Sequence, residues 1–208
     1  KMWFCIVILL LIAGVFAEVE RELHTFCITR YKVLSPKWNG EKSGKIIFLS
    51  DLHNHEYGLH NKKLIDKIKK ENPELILIGG DILVGKEDIS YESAAEFVEA
   101  ICKIAPVYYA NGNHEQRMKE KPEKYGNAFV GYKKRLLDAG VHFLENESAE
   151  VELGGNKLCL TGLELQLEVY EKMKTHKVTK EDVAQKVGPA KQEEIQILLA
   201  HNPEYMKA

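Results

Sequence analysis

The chain has no excess of charge of either sign. Its 29 lysines and arginines stand against 31 aspartates and glutamates, for a formal net charge of −2, and no basic stripe marks a groove for a polyanion. No nucleic acid is therefore evident as a partner. Cysteine is also scarce: Cys5, Cys27, Cys102 and Cys159 stand singly, without the close pairing of a zinc knuckle or the density of a disulfide scaffold. They read as packing residues. Internal repeats and low-complexity linkers are missing too, so 208 residues with 45% hydrophobic content fit one sizeable core.

Long apolar runs are absent with one exception. "MWFCIVILLLIAGVFA", residues 2–17, is uncharged and just short of the roughly twenty residues that a tilted spanning helix prefers. Lys1 precedes it and "EVERE" follows, an order that places the remainder outside the cytoplasm by the positive-inside tendency. Val15 and Ala17 also offer a small-residue cleavage pattern. Residues 1–20 are thus expected to be a hydrophobic membrane anchor or a signal segment. The expected location is the cell membrane with the domain of residues 21–208 extracytoplasmic, or secreted if the segment is cleaved.

Beyond that segment, strand and helix patterns alternate. "KIIFLS" (45–50) is short, apolar and β-branched; "LIDKIKKENP" then sets Leu64, Ile65 and Ile68 on one helical face before Pro73. "ELILIGG" predicts a second strand, "ESAAEFVEAICKI" a helix with Phe97, Val98, Ile101 and Cys102 at helical spacing, and "PVYYANG" a third strand. A shorter helix ends at "RLLDAG", with Gly140 as its cap, before "VHFLE" resumes the sheet. Alternation of this kind implies parallel pairing in an α/β domain. From Ala149 the pattern changes to "AEVELGG" and "KLCLTGLE", two strands joined by a glycine turn, then a polar helix near "TKEDVAQKVG" and a buried strand "IQILLA".

The polar groups fall at the strand ends. "KIIFLS" runs into Asp51 and His53, "ELILIGG" into Asp81, "PVYYANG" into Asn113 and His114, and "IQILLA" into His201. One aspartate after a strand is ordinarily a turn former, and a lone histidine ordinarily a hydrogen-bonded one. Four strand ends that all carry metal-ligand chemistry point instead to a shared crevice at the carboxyl edge of the sheet.

"DLH" (51–53), "GGD" (79–81), "GNHE" (112–115) and "AHNPEY" (200–205) together resemble the calcineurin-like metallophosphoesterases, in that order and at comparable spacing. The likeness is particularly close to a membrane-associated bacterial branch. It implies an α/β sandwich of two mixed β-sheets flanked by helices. It also implies that Asp51 and His53 hold a first metal, that Asp81 bridges two metals, and that Asn113 and His201 belong to the second. His114 would be catalytic, facing the substrate rather than a metal. Carboxylate, imidazole and amide donors suit manganese, iron or zinc. Two such ions about 3.5–4 Å apart clamp a phosphate ester and acidify a bridging water. The asparagine of "GNHE" would then reach a metal from a tight glycine turn while its histidine neighbour reaches substrate.

The resemblance has a gap. The family completes its site with a later glycine-histidine-x-histidine segment, and this chain stops at Ala208 before any such segment. The C-terminal part of the fold is therefore expected to be incomplete, the chain to be a truncated piece of a larger enzyme, and its metal binding to be weak. His55, His60 and His176 do not obviously substitute; His55 reads as a solvated loop histidine. The resulting expectation is a metal-dependent phosphoesterase acting on a phosphomonoester, phosphodiester or pyrophosphate, with a lipid-linked or cell-envelope phosphate as the substrate class. The alternative is a non-catalytic interaction module on the same fold. A metal-dependent amidohydrolase would usually want a histidine-x-histidine pair where Asp51 and His53 stand.

Overall fold

Strands β1 (Ile46–Leu49), β2 (Leu75–Ile78), β3 (Val107–Tyr109) and β4 (His142–Phe143) lie in sequence order in one sheet, and each neighbouring pair is parallel. The reason is connectivity: parallel neighbours need a long crossover, and helices α2 (Lys62–Glu71), α3 (Glu92–Cys102) and α6 (Ala128–Asp138) supply three of them. Between α3 and α6 come two short helices, α4 (Asn113–Glu120) and α5 (Pro122–Tyr125). The computed structural model describes residues 2–39, 42–170 and 178–202, without the side chains of Met2 and Cys5. His176 and residues 203–205 of the "AHNPEY" stretch lie outside the described residues.

The period-2 alternation of β2 explains the layers. Ile76 and Ile78 point into a core with Phe97, Val98 and Ile101 of α3 and Tyr132 and Leu136 of α6. Leu75 and Leu77 point the other way, against Leu153, Leu158, Leu160 and Leu199 of a second sheet. All four residues of β2 are buried, as expected of a parallel strand covered on both faces.

The second sheet has the order β5 (Ser148–Leu153), β6 (Asn156–Leu163), β7 (Ile195–Ala200). β5 and β6 form a hairpin whose Leu153↔Asn156 register leaves Gly154 and Gly155 as the turn, with φ of +54° and +79°. Positive φ at both central residues is the turn that matches strand twist. β7 joins β6 in parallel after α7 (Lys180–Val187). Two sheets with flanking helices are thus present as expected. The second is mixed; the first is parallel at every pairing among the described residues, because its links are helical crossovers.

Two features depart from the sequence pattern, the helix α4 and the exposure of Cys27. α4 was not anticipated, since "NHEQRMKE" lacks an apolar face. Cys27 is exposed rather than packed, whereas Cys102 is half-buried and burial pushes its thiol up to about 11. The amino-terminal run forms α1 (Met2–Leu23), whose last turns carry Glu18, Glu20, Arg21 and Glu22. Its large apolar side chains are exposed, Leu10 at 68% and Phe16 at 67%. Among the described residues no helix is long and apolar enough to cross a membrane.

Candidate active site

The carboxyl ends of β1, β2 and β3 open into turns that are laced together by their backbones. Asp51 N donates to Gly80 O (3.1 Å), His53 N to Asp81 O (2.9 Å) and Asn54 N to Ile82 O (2.9 Å). Asp51, His53 and Asp81 all hold left-handed backbone, with φ of 57°, 50° and 55°. Such conformations are costly for non-glycine residues and concentrate at functional sites. The "GGD" and "GNH" turns also touch. A Cβ on Gly80 would lie 2.2 Å from Gly112 N, and one on Gly112 would lie 2.2 Å from Asp81 Oδ1. Only glycine permits this approach.

The side chains converge on one atom. Asp81 is buried, and its Oδ1 accepts the backbone N–H of His114 at 2.8 Å. Its Oδ2 remains directed at three imidazoles, with Nε2 of His201 at 3.2 Å and Nε2 of His53 and of His114 each at 3.9 Å. Asp51 Oδ1 lies 3.5 Å from His53 Nε2 and 3.9 Å from His201 Nε2. Asn113 Oδ1 lies 3.2 Å from His201 Nε2. Two sets of donors able to hold a metal ion result, His53 with Asp81 and His114, and Asp51 with Asp81 and His201.

All six residues singled out in the sequence are thus gathered at one place. Asp51 stands between His53 and His201, slightly nearer His53. His114, expected to face substrate, lies within one of the two donor sets. Of the other histidines, His60 pairs with Glu96 at 3.0 Å on the surface. His55 is not a solvated loop residue: its Nε2 meets the Leu23 carbonyl, at the end of α1, at 2.6 Å.

Hydrogen bonds outside the cluster orient the rings. His201 Nδ1 faces Gly79 O at 2.8 Å, an acceptor only, so Nδ1 carries the proton and Nε2 is turned to the donor set. His114 Nδ1 accepts from Gly85 N at 2.9 Å, so in the neutral ring the proton sits on Nε2. Burial lowers the His114 pKa. Burial alone would lower His201 too, but the hydrogen bond and charge of Asp81 raise it to about 9. Asp81 is shifted the opposite way: burial disfavours its charge, yet His201 and the His114 amide hold it below the usual carboxylate range.

The last residue of "GNHE" lies directly beneath these side chains. Glu115 is completely buried under the cluster, and burial together with the Asp81 charge raises its pKa to about 7. The signal available in sequence was its position, three residues after Gly112 at the start of α4, where a glutamate reaches back to the N-cap amide. That contact is made, Gly112 N to Glu115 Oε2 at 3.0 Å.

A family profile described as calcineurin-like phosphoesterase matches residues 44–208, most of the chain, and the chain belongs to that family. Among curated relatives it is 23% identical over 185 residues to the uncharacterized protein YpbG of Bacillus subtilis (strain 168), covering 87% of this chain and 58% of the relative. It is 26% identical over 121 residues to the phosphodiesterase YaeI of Escherichia coli (strain K12), covering 57% and 42%. Over 126 residues it is 29% identical to the uncharacterized metallophosphoesterase YkoQ of B. subtilis (strain 168), covering 59% and 44%. The chain therefore spans about half the length of the curated relatives it matches. The family and the two donor sets mark these side chains as candidate metal-binding residues.

Proposed function

We propose that the protein is a metal-dependent phosphoesterase that hydrolyses a phosphomonoester, phosphodiester or pyrophosphate bond with two metal ions drawn from manganese, iron and zinc. The observation that carries this reading is the convergence of two donor sets on Asp81, whose Oδ2 is common to the close contacts of both. The residues fit such ions. Asp81 Oδ1 is occupied by the His114 amide, which leaves Oδ2 for coordination, and His201 Nδ1 is occupied by Gly79 O, which leaves Nε2. When bound, ions of this kind polarise phosphoryl oxygens and acidify water at neutral pH.

The chain's own groups then have separate tasks. Asp51, His53, Asp81, Asn113 and His201 would hold the ions, and the buried carboxylate of Asp81 would offset their charge; His114 lies within reach of the first set but keeps its proton on Nε2 and is not a ligand. His114 is fixed by Gly85 N so that Nε2 faces the cluster, where it contacts a phosphoryl or leaving-group oxygen. Membrane association and a lipid-linked or cell-envelope phosphate belong to the same reading, on the exposed apolar side chains of α1.

The test is hydrolysis of nitrophenyl phosphate mono- and diesters by the purified full-length chain after chelation and after addition of Mn(II). Activity should vanish with the chelator and return with the ion. Hydrolysis that survives exhaustive chelation would overturn the reading.

A further inference from the structure

Glu115 is buried to 0% exposure with no basic side chain bonded to it among the described residues. A buried carboxylate is tolerated only when its oxygens are well hydrogen-bonded, and here the donors form a pattern. Oε2 accepts from Asp81 N at 2.8 Å and Gly112 N at 3.0 Å. Oε1 accepts from Tyr109 Oη at 2.6 Å and Ile82 N at 3.2 Å. One donor on each oxygen belongs to the turn that presents Asp81. The other two belong to β3 and the turn that presents Asn113 and His114.

The two turns are already in contact through Gly80 and Gly112, where a single Cβ could not be inserted. Glycine removes the steric barrier to that approach but supplies no attraction. Opposed backbone N–H groups from the two turns repel unless one acceptor lies between them, and Glu115 is that acceptor. An apolar side chain would leave buried amides without a partner.

We infer that Glu115 is a positioning residue which clamps the Asp81 turn to the Asn113 turn and so sets the spacing between the two metal-donor sets. It contacts neither substrate nor ion. The inference rests on the two-metal reading above, and asks what holds that geometry.

Glu115→Gln keeps the shape but replaces one acceptor oxygen with an amide donor. With the amide nitrogen at the Oε2 position it opposes Asp81 N and Gly112 N, one donor from each turn; at the Oε1 position it opposes Ile82 N, and the Tyr109 hydroxyl must rotate to accept from it. Either way the Asp81 turn loses a bond to the clamp. Mn(II) titration of the full-length chain, followed by electron paramagnetic resonance, reads the consequence directly. In the wild type the spin-coupled Mn pair should form. In Glu115→Gln the second ion should bind at least about tenfold more weakly, the size typical when a partner behind the ligands is lost, and the coupled signal should give way to that of isolated Mn(II). Tyr109→Phe removes one donor only and should weaken the pair by a smaller factor; it serves if the glutamine variant does not fold.

A merely structural role would lower the melting temperature and leave pair formation in the folded protein unchanged. Wild-type pair affinity in a folded Glu115→Gln overturns the clamp, and so does wild-type affinity in Tyr109→Phe if the glutamine variant is unfolded. Absence of a coupled pair in the wild type itself would instead overturn the two-metal reading.

Discussion

The two sheets contribute to the site by different means. The parallel sheet delivers Asp51, His53, Asp81, Asn113 and His114 from the ends of three adjacent strands, and main-chain hydrogen bonds tie the first two turns together. Among the described residues the mixed sheet delivers only His201, from the end of β7, and it is held by side-chain contacts to Gly79, Asp81 and Asn113. Consecutive parallel strands bring their ends together by topology, so most of the cluster follows from local order. The remaining donor depends on the packing of Leu153, Leu158, Leu160 and Leu199 against Leu75 and Leu77.

The sharpest test removes the atom on which both contributions meet. Asp81→Asn should abolish activity and deplete metal, measured by atomic emission on the purified protein, whereas His201→Ala should deplete it only in part. Retention of two ions by Asp81→Asn would break the view that this carboxylate unites the sets. Next in size is His114→Ala. If His114 protonates the departing oxygen, hydrolysis of an alkyl phosphate ester should fall by about 10²–10⁴-fold, much further than that of a nitrophenyl ester. Equal losses on both substrates would assign it to the phosphoryl oxygens.

The dependence of His201 on sheet packing can be probed at a distance. Leu160 is wholly buried between the sheets, so Leu160→Ala should cost about 2–5 kcal/mol in chemical denaturation. Metal affinity should drop through the His201 donor set before the His53 set. The smallest effect concerns pH. With metal removed, the raised pKa of His201, from 6.5 to about 9, contributes stability that is complete below pH 6.5 and lost as pH rises through 9. The lowered pKa of Asp81 contributes above 3.8 and is lost on acidification. Melting temperature of the chelated protein should therefore decline between pH 6.5 and 9, and His201→Gln should flatten that decline.

Much of this arrangement was legible because strand patterns end abruptly in chemistry. "ELILIGG" and "IQILLA" are apolar runs that stop at Asp81 and His201, and both residues reach the cluster. The hairpin of β5 and β6 was equally readable from Gly154 and Gly155. α4 was not, because its eight residues bury only Glu115, Gln116 and Met118. It is ordered by capping and by contacts with the site rather than by an apolar stripe. Glu115 was obscured for a related reason: periodicity marks where apolar side chains are buried, and a buried carboxylate answers to donors on other turns. His55 was read as solvated because its partner, the Leu23 carbonyl, belongs to a helix 32 residues away.

His201 also bears on the order in which the chain acquires function. The β1 to β4 sheet is built from crossovers between consecutive strands, contacts of modest sequence separation that close early at low entropic cost. The bond from His201 to Gly79 spans 122 residues, and β7 must first align with β6 across the intervening segment. Long-range parallel pairing is intrinsically slow. Burst-phase structure during refolding should consequently arise from the helix-covered sheet, and metal competence should lag behind it. A newly made chain would pass through a stage at which its fold is largely present and its centre is still one histidine short.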